Sequence, residues 1–231
     1  MPEILFKDLG LIDYNKAWEF QENIFNELIH LKRSNEELPI CEKLPAYNYL
    51  LFCEHPHVYT LGKSGHQENM LLDGLQLRAK DASFVKTNRG GDITYHGPGQ
   101  IVGYPIIDLE KFGLGIKNYI FKLEQVIINT LNHFGIEAAR LDGATGVWLD
   151  SEIIGKQRKI CAIGVKASHY VTMHGFAFNV NTDLNYFNYI NPCGFTDKGV
   201  TSLEKELGLK QDFEKIKDLV FQEFQKEFVG I

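Results

Sequence analysis

Residues 89–100 read RGGDITYHGPGQ, and residues 101–107, which follow directly, read IVGYPII. The first stretch contains four glycines and one proline. Glycine costs backbone entropy on folding, so such a run is typical of a backbone that takes positive φ or comes close to another group. The second stretch predicts a buried strand, which would anchor the loop. This anchoring argues against the alternative that residues 89–100 are only a mobile surface connector. Because binding residues concentrate on anchored loops, we interpret residues 89–100 as a ligand-contacting loop.

Segments on both sides of this loop alternate between strand and helix patterns. Asp13 is placed to cap a helix that continues to about residue 33, a second helix spans residues 115–134, and Asp212 opens a third. Short apolar runs predict strands at residues 49–53, 84–88, 101–107, 146–149, 159–165 and 175–180. Helices flanking a strand-rich centre, without a repeat or a linker, predict a mixed α/β (α+β) fold formed by one domain over residues 1–231.

Composition restricts the class of protein. The chain has 231 residues, of which 44% are hydrophobic and 23% charged, and its net charge is −6. These values are ordinary for a soluble domain, and the negative charge argues against nucleic acid as the main partner. The N-terminus lacks the pattern of a signal peptide, and no apolar run approaches the roughly 20 residues of a membrane-spanning helix. We therefore expect a cytoplasmic protein that does not bind membranes.

Two kinds of cofactor site are weighed and disfavoured. His55, His57 and His66 contain an H-x-H pair, but no carboxylate or cysteine has matching spacing, so we expect no metal. The cysteines form no C-x-x-C pair, which argues against structural zinc. The glycine loop matches neither the dinucleotide-binding fingerprint nor the P-loop pattern, so those standard nucleotide sites are not predicted.

The four cysteines, Cys41, Cys53, Cys161 and Cys193, are expected to be reduced thiols. Cys53 and Cys161 lie in apolar strands and suit the role of small buried hydrophobes. Cys193 differs, because a proline precedes it and a glycine follows it, which predicts an exposed tight turn. A neighbouring cation or base would lower its pKa and make it a nucleophile. The candidate neighbours are Lys156, Arg158, Lys159 and His174, although a solvated strand-edge lysine is also common.

Several motifs together resemble the octanoyltransferases of lipoate biosynthesis. The RGGDITYHGPGQIVGYP stretch at residues 89–105 is similar to that family's signature. The resemblance covers roughly residues 45–205 in the expected order. It continues in HPHVYTLG at 55–62, GVW at 146–148, KICAIGV at 159–165, HGFAFNV at 174–180, NPCG at 191–194 and TSL at 201–203.

The resemblance implies a reaction and roles for particular residues. The enzyme would transfer an octanoyl group from octanoyl-acyl carrier protein to a lysine of lipoyl domains of 2-oxoacid dehydrogenase complexes and of the glycine cleavage H protein. Cys193 would hold the acyl group as a thioester, and Lys159 would lower the thiol pKa and move protons. The fold would be that of the biotin and lipoate protein ligases, and no cofactor would be needed. The implied acyl pocket consists of Arg89, Gly90, Gly91, Asp92, Ile93, Thr94, Tyr95, His96, Ala162, Ile163, Gly164, Gly175, Phe176 and Ala177.

Some questions stay open at the level of sequence. The oxyanion donors are either the Gly194 N–H or those of Gly90 and Gly91, and His96 and His174 either position the substrate carbonyl or support Lys159. Phe178, where relatives often carry leucine, either adjusts chain length or is an ordinary core residue. The rival functions are an ATP-dependent lipoate or octanoate ligase on the same fold and a non-catalytic module that binds carrier domains.

Overall fold

The computed structural model describes residues 3–191 and 198–230. Within these residues the larger of two sheets has eight strands in the order β1-β2-β6-β10-β9-β8-β7, with β11 beside β9. It is a mixed sheet, because β1 runs parallel to β2 and β11 parallel to β9 while the other neighbours are antiparallel. Its strands are β1 (Ile4–Leu11), β2 (Asn48–Glu54), β6 (Gln100–Ile106), β7 (Ala139–Leu141), β8 (Ala144–Leu149), β9 (Arg158–Ser168), β10 (Val171–Asn179) and β11 (Gly199–Val200).

Apolar residues cover both faces of this sheet. In β2, Leu50 and Phe52 pack into one hydrophobic cluster, while Leu51 and Cys53 pack into the cluster on the opposite face. This alternation explains why the strand reads as a continuous apolar run, since successive side chains point to opposite faces. The predicted strand at residues 49–53 is confirmed, and it is buried on both faces.

Helices supply the partners for the two faces. The first face packs against α3 (Ile116–Asn132) and α5 (Phe213–Phe228), and the second against α1 (Tyr14–Glu36). Asp13 caps α1 by accepting hydrogen bonds from the backbone N–H groups of Asn15 and Lys16, which satisfies donors that the first turn leaves unpaired. The shorter helices are α2 (Gly74–Ala79) and α4 (Leu203–Leu207).

A smaller sheet carries the glycine-rich loop. It has the order β4-β3-β5 and consists of β3 (Val58–Leu61), β4 (Ser83–Lys86) and β5 (Ile93–His96). Its own apolar cluster contains Tyr59, Ile93 and Tyr95. Residues 89–92 therefore connect to a packed layer at β5, which explains how a glycine-rich segment keeps one conformation.

The predicted fold class, mixed α/β with helices flanking a central sheet, is confirmed. The strand β1 was not predicted, because its sequence ILFKDLGL is charged in the middle and lies at the edge of the sheet, where one side is open to water. Among the described residues, no helix is both long and apolar enough to cross a bilayer.

Candidate active site

A cavity of about 420 Å³ lies where the glycine-rich loop meets strands β6, β9 and β10. Its volume falls in the range of roughly 300–1,000 Å³ that is usual for small-molecule sites. Apolar and small residues of the sheet form one wall, and residues of the loop form another. The residues of the predicted pocket that line it are Arg89, Gly91, Asp92, Ile93, Thr94, His96, Ala162, Ile163, Gly164, Gly175, Phe176 and Ala177.

The Arg89 side chain holds the loop in shape. The guanidinium is buried, and its Nη2 donates to the carbonyl oxygens of Thr60 and Asp92, each at 2.7 Å. Its Nη1 donates to the Gly90 carbonyl at 2.9 Å. These charge-assisted bonds connect the loop to β3 and close it on itself. Arg89 thus lines the cavity while its polar atoms stabilise the cavity wall.

Glycines allow the loop to lie against its neighbours. A Cβ added to Gly62 would stand 2.2 Å from the Gly91 carbonyl oxygen, and one added to Gly164 would stand 2.9 Å from that of Gly90. The Gly90 N–H donates to the Val165 carbonyl at 2.8 Å, so the loop backbone is bonded to β9. Gly90 is therefore unsuited to donate to an oxyanion, whereas Gly91 lines the cavity.

We expect Gly62→Ala to displace the loop and to lower the stability of the protein. The added methyl group would overlap the Gly91 carbonyl, and such overpacking typically costs about 1–3 kcal/mol. The midpoint temperature of thermal unfolding should therefore fall. Gly74→Ala is the matched control, because a Cβ at Gly74 meets no atom within 4 Å. Equal behaviour of the two variants would contradict close packing of the loop.

A second set of contacts connects the loop to the chain that precedes Cys193. The Asn69 amide donates to the Asp92 carboxylate at 2.7 Å, and the Asn191 N–H donates to the Asn69 carbonyl at 2.9 Å. Lys198, the first described residue on the other side, lines the cavity. Cys193 and Gly194, predicted as the nucleophile and as one oxyanion donor, lie outside the described residues.

Lys159, predicted as the acid–base residue, lines the cavity. Its Nζ donates to the Thr145 carbonyl at 3.0 Å and lies 4.7 Å from the centre of the Trp148 ring. Sequence reasoning gave Trp148 no role, although it quoted the GVW motif, and it missed Lys198 altogether. Lysines in irregular segments carry no pattern that would have drawn attention to Lys198.

The two histidines whose roles were open are both buried in the cavity wall. His96 Nδ1 donates to Gln100 Oε1 at 2.8 Å, and His174 Nε2 donates to Asn88 Oδ1 at 2.7 Å. Burial lowers the pKa of His174 to about 3 and that of His96 well below 6.5, and the Arg89 charge adds to both effects. Both imidazoles are therefore neutral at neutral pH, and neither is available as a cationic acid there.

Two predicted pocket residues lie behind the cavity wall. Tyr95 is fully buried in the cluster of the small sheet, and its hydroxyl is 2.7 Å from His57 Nδ1. Gly90 does not line the cavity, and its N–H donates to the Val165 carbonyl of β9. Phe178 is fully buried in the cluster beneath α3 and α5, as an ordinary core residue would be.

The H-x-H segment forms hydrogen bonds within the protein. His55 Nδ1 donates to the Ile12 carbonyl at 2.8 Å, and its Nε2 is 2.8 Å from the Tyr104 hydroxyl. His57 stacks on Tyr186. Over the described ranges, 3–191 and 198–230, no three histidine, cysteine or acidic side chains are grouped as metal ligands.

The cysteines in the described strands are poor nucleophiles. Burial raises the pKa of the Cys53 thiol well above its usual value, with Asp8 and Glu54 adding to the effect. Burial likewise raises the pKa of Cys161 strongly, and the nearby Lys159 offsets only part of it. Their interpretation as buried hydrophobes is confirmed.

Arg158 and Lys166 lie eight positions apart on β9 and have different surroundings. Arg158 forms a bidentate pair with Glu206, with distances of 2.7 and 2.8 Å, and a further ion pair with Asp150. Its charge is therefore compensated within the protein. Lys166 lies eight residues further along β9, and its Nζ is 4.8 Å from the centre of the Phe25 ring.

Comparison with known proteins identifies the family. The sequence model of the lipoyl protein ligase A/B catalytic domain matches residues 13–225. An octanoyltransferase of Flavobacterium johnsoniae is 56% identical over 225 residues, covering 95% of this chain and 94% of the relative. The chain belongs to the octanoyltransferase family. An octanoyltransferase of Cytophaga hutchinsonii is 53% identical over 219 residues, covering 95% of this chain and 90% of the relative.

Solved structures support the fold. A bipartite lipoate protein ligase from Thermoplasma acidophilum superposes with a TM-score of 0.69 at 14% identity, covering 98% of this chain and 84% of that one. Lipoate-protein ligase A bound with ATP superposes with a TM-score of 0.64 at 13% identity, covering 98% and 85%. The octanoyltransferase family and these ligases therefore share a fold, as the sequence resemblance implied.

Proposed function

We propose that this protein transfers an octanoyl group from octanoyl-acyl carrier protein to a lysine of lipoyl domains. The observation that carries the proposal is that Lys159 and the apolar residues Ile163, Phe176 and Ala177 line one cavity. An acyl chain in that cavity would contact an apolar wall along its length and an ammonium group at one side. Family membership supports the same substrate class. We further propose that the whole chain, residues 1–231, acts as one catalytic domain.

In the first step the Cys193 thiolate attacks the thioester carbonyl of the donor. A bond forms between Cys193 Sγ and the carbonyl carbon, and the bond to the carrier's sulfur breaks. Because one thioester replaces another, the step is nearly balanced in energy and the acyl-enzyme stays reactive. The Lys159 ammonium favours the thiolate form of Cys193 and can give its proton to the departing carrier thiolate.

In the second step the amine of the acceptor lysine attacks the acyl-enzyme. An amide bond forms, the bond to Cys193 Sγ breaks, and Lys159, now neutral, accepts the proton that the amine loses. Backbone N–H groups stabilise the negative oxygen of the tetrahedral intermediate. Gly91 and Gly194 are the proposed donors, since the Gly90 N–H already bonds Val165. This is covalent acyl transfer that uses neither metal nor nucleotide.

The acceptors proposed are lipoyl domains of 2-oxoacid dehydrogenase complexes and the glycine cleavage H protein. A protein-bound lysine on an exposed turn can reach the cavity, whose lining includes the exposed residues Gly143 and Thr145 as well as Lys159 and Lys198. The donor has to reach the same opening, so the two proteins bind in turn and the acyl-enzyme persists between them.

Intact-mass spectrometry tests the proposal. Mixing the protein with octanoyl-acyl carrier protein should give a single octanoyl adduct, which disappears when a lipoyl domain is added and reappears on that domain. ATP and free octanoate without the carrier should give neither adduct nor product. Product that forms only with ATP would replace the proposal by the ligase alternative. Stable binding of either protein without any transfer would indicate the non-catalytic module.

A further inference from the structure

Lys159 meets an aromatic ring that is itself held rigidly. The Trp148 side chain is almost fully buried, and its Nε1 donates to the Ala144 carbonyl at 2.8 Å. The Lys159 Nζ lies 4.7 Å from the centre of that ring. A cation within about 6 Å of an indole face is attracted by the ring's quadrupole, and tryptophan gives the strongest such attraction among the aromatic residues. Trp148 also lines the cavity, so the contact is made at the site.

The pairing of β8 with β9 is irregular beside a further contact of Lys159, the one with the Thr145 carbonyl. The pairing of β8 with β9 shifts register between Val147 and Trp148, and Gly146 has a φ of +124°. The Gly146 N–H donates to Glu124 Oε1 at 3.0 Å, and Glu124 is also paired with Arg140. This buried carboxylate holds the strand where the Thr145 carbonyl can accept from Lys159 Nζ at 3.0 Å. Bulges commonly redirect groups beside active sites.

We propose that Trp148 is the positioning residue for Lys159 and favours its protonated form through the face of the indole ring. This inference rests on the proposed function, in which Lys159 exchanges protons with the substrates and with Cys193. The Thr145 carbonyl and the Trp148 ring attract an ammonium group more strongly than a neutral amine. Together they hold the Lys159 Nζ at the cavity and stabilise the charge that keeps Cys193 ionised.

The consequence is a defined effect on pH dependence. When the ring's attraction is weakened, the ammonium form of Lys159 is less stable and is lost at lower pH. The basic limb of the pH profile for acylation should therefore move to lower pH, by roughly half a unit to one unit for replacement of the ring by an aliphatic side chain. On the basic limb itself, at pH values above the Lys159 pKa, the acylation rate should fall by roughly three- to tenfold, the factor to which that shift corresponds.

Trp148→Phe and Trp148→Leu separate the ring face from the hydrogen bond. Both variants lose the bond from Nε1 to Ala144, but only the phenylalanine variant keeps an aromatic face. We expect the shift of the basic limb to be small in Trp148→Phe and full in Trp148→Leu. Equal shifts in the two variants, or none in either, would overturn the proposal.

Ring fluorination tests the same idea without changing shape. The chain has two tryptophans, Trp18 and Trp148, so a Trp18→Phe protein grown with tryptophan fluorinated on its benzene ring carries the analogue at position 148 alone. Fluorine weakens the quadrupole and keeps the N–H. The basic limb should move stepwise to lower pH as fluorine atoms are added, relative to the unlabelled Trp18→Phe protein. A limb that stays fixed across the series, in a protein that still unfolds cooperatively, would overturn the proposal.

The failure of this inference can be told apart from failure of the proposed function. If Lys159→Ala removes activity but fluorination leaves the profile unchanged, Lys159 acts as proposed and Trp148 is only structural. If Lys159→Ala leaves the rate and its pH profile unchanged, the role of Lys159 itself is contradicted. Acylation of Cys193 by octanoyl-acyl carrier protein, followed by intact mass, is the readout in both cases.

Discussion

Cys193→Ser is expected to form no detectable octanoyl adduct and to lose transfer by roughly 10⁴-fold or more, as when the nucleophile of a covalent mechanism is removed. A neighbouring ammonium can ionise a thiol, whose pKa is about 8.5 in a model peptide, but it cannot ionise a serine hydroxyl at neutral pH. The serine would also form an oxygen ester, which is less reactive than a thioester toward the acceptor amine. Intact mass after mixing with octanoyl-acyl carrier protein measures the adduct directly.

Cys41→Ser is the matched control for this experiment. Cys41 is an exposed thiol, and it is the described cysteine that a thioester could reach from solvent without unfolding. Its replacement should leave both the adduct and the transfer rate unchanged. An adduct that persists in Cys193→Ser and disappears in Cys41→Ser would show that Cys41, and not Cys193, carries the acyl group. An adduct that persists in both would reject a cysteine thioester altogether.

Lys159→Ala is expected to lower the acylation rate by roughly 10²–10⁴-fold, the usual contribution of general acid–base catalysis. The substitution would remove the ammonium group that is proposed to favour the Cys193 thiolate and to move protons in both steps. The thiol pKa should rise, because a nearby positive charge no longer favours the anion. Thiolate formation should then require a higher pH. The acid limb of the pH–rate profile for acylation should therefore move to higher pH. An acid limb that stays in place would contradict this role.

Two other lysines serve as comparisons for Lys159. Lys166 lies on the same strand but away from the cavity, with its Nζ over the Phe25 ring, so Lys166→Ala should leave the acylation rate unchanged. Lys198 lines the cavity, and Lys198→Ala is expected to affect the Michaelis constant more than the turnover number. A larger loss of turnover in Lys198→Ala than in Lys159→Ala would transfer the proton-handling role to Lys198.

The fold was predictable where one local pattern decided the structure. Asp13 was enough to predict the start of α1, and the apolar run at residues 49–53 was enough to predict β2. Helix capping requires particular residue types, and burial on both faces requires consecutive apolar residues, so both can be recognised in the sequence. Strand β1 was not found, since its exposed and charged positions hide the pairing with β2. The short strands β7 and β11 contain three and two residues, too few for periodicity to appear.

The cavity was predictable in part. Of the fourteen residues that the resemblance assigned to the pocket, twelve line the cavity, including His96 and Phe176, because glycine-rich and strand motifs stay recognisable. It could not separate Tyr95, which faces the cluster of the small sheet, from its neighbours on β5. It also gave no role to Trp148, since the contact with Lys159 depends on the irregular pairing of β8 with β9 and on a carboxylate from α3. Such contacts join residues that are distant in sequence.

The sequence by itself determined the family and the mixed α/β class, because motif order and local apolar spacing are sufficient for both. It also named Cys193 and Lys159 as candidates, whose roles are implied by the family resemblance. Only the tertiary structure decided that Arg89 stabilises the loop and that the histidines of the cavity are neutral. It alone showed that Lys159 lies over Trp148. The physical reason is that hydrogen bonding, desolvation and ring contacts depend on distances in space, which the order of residues along the chain does not fix.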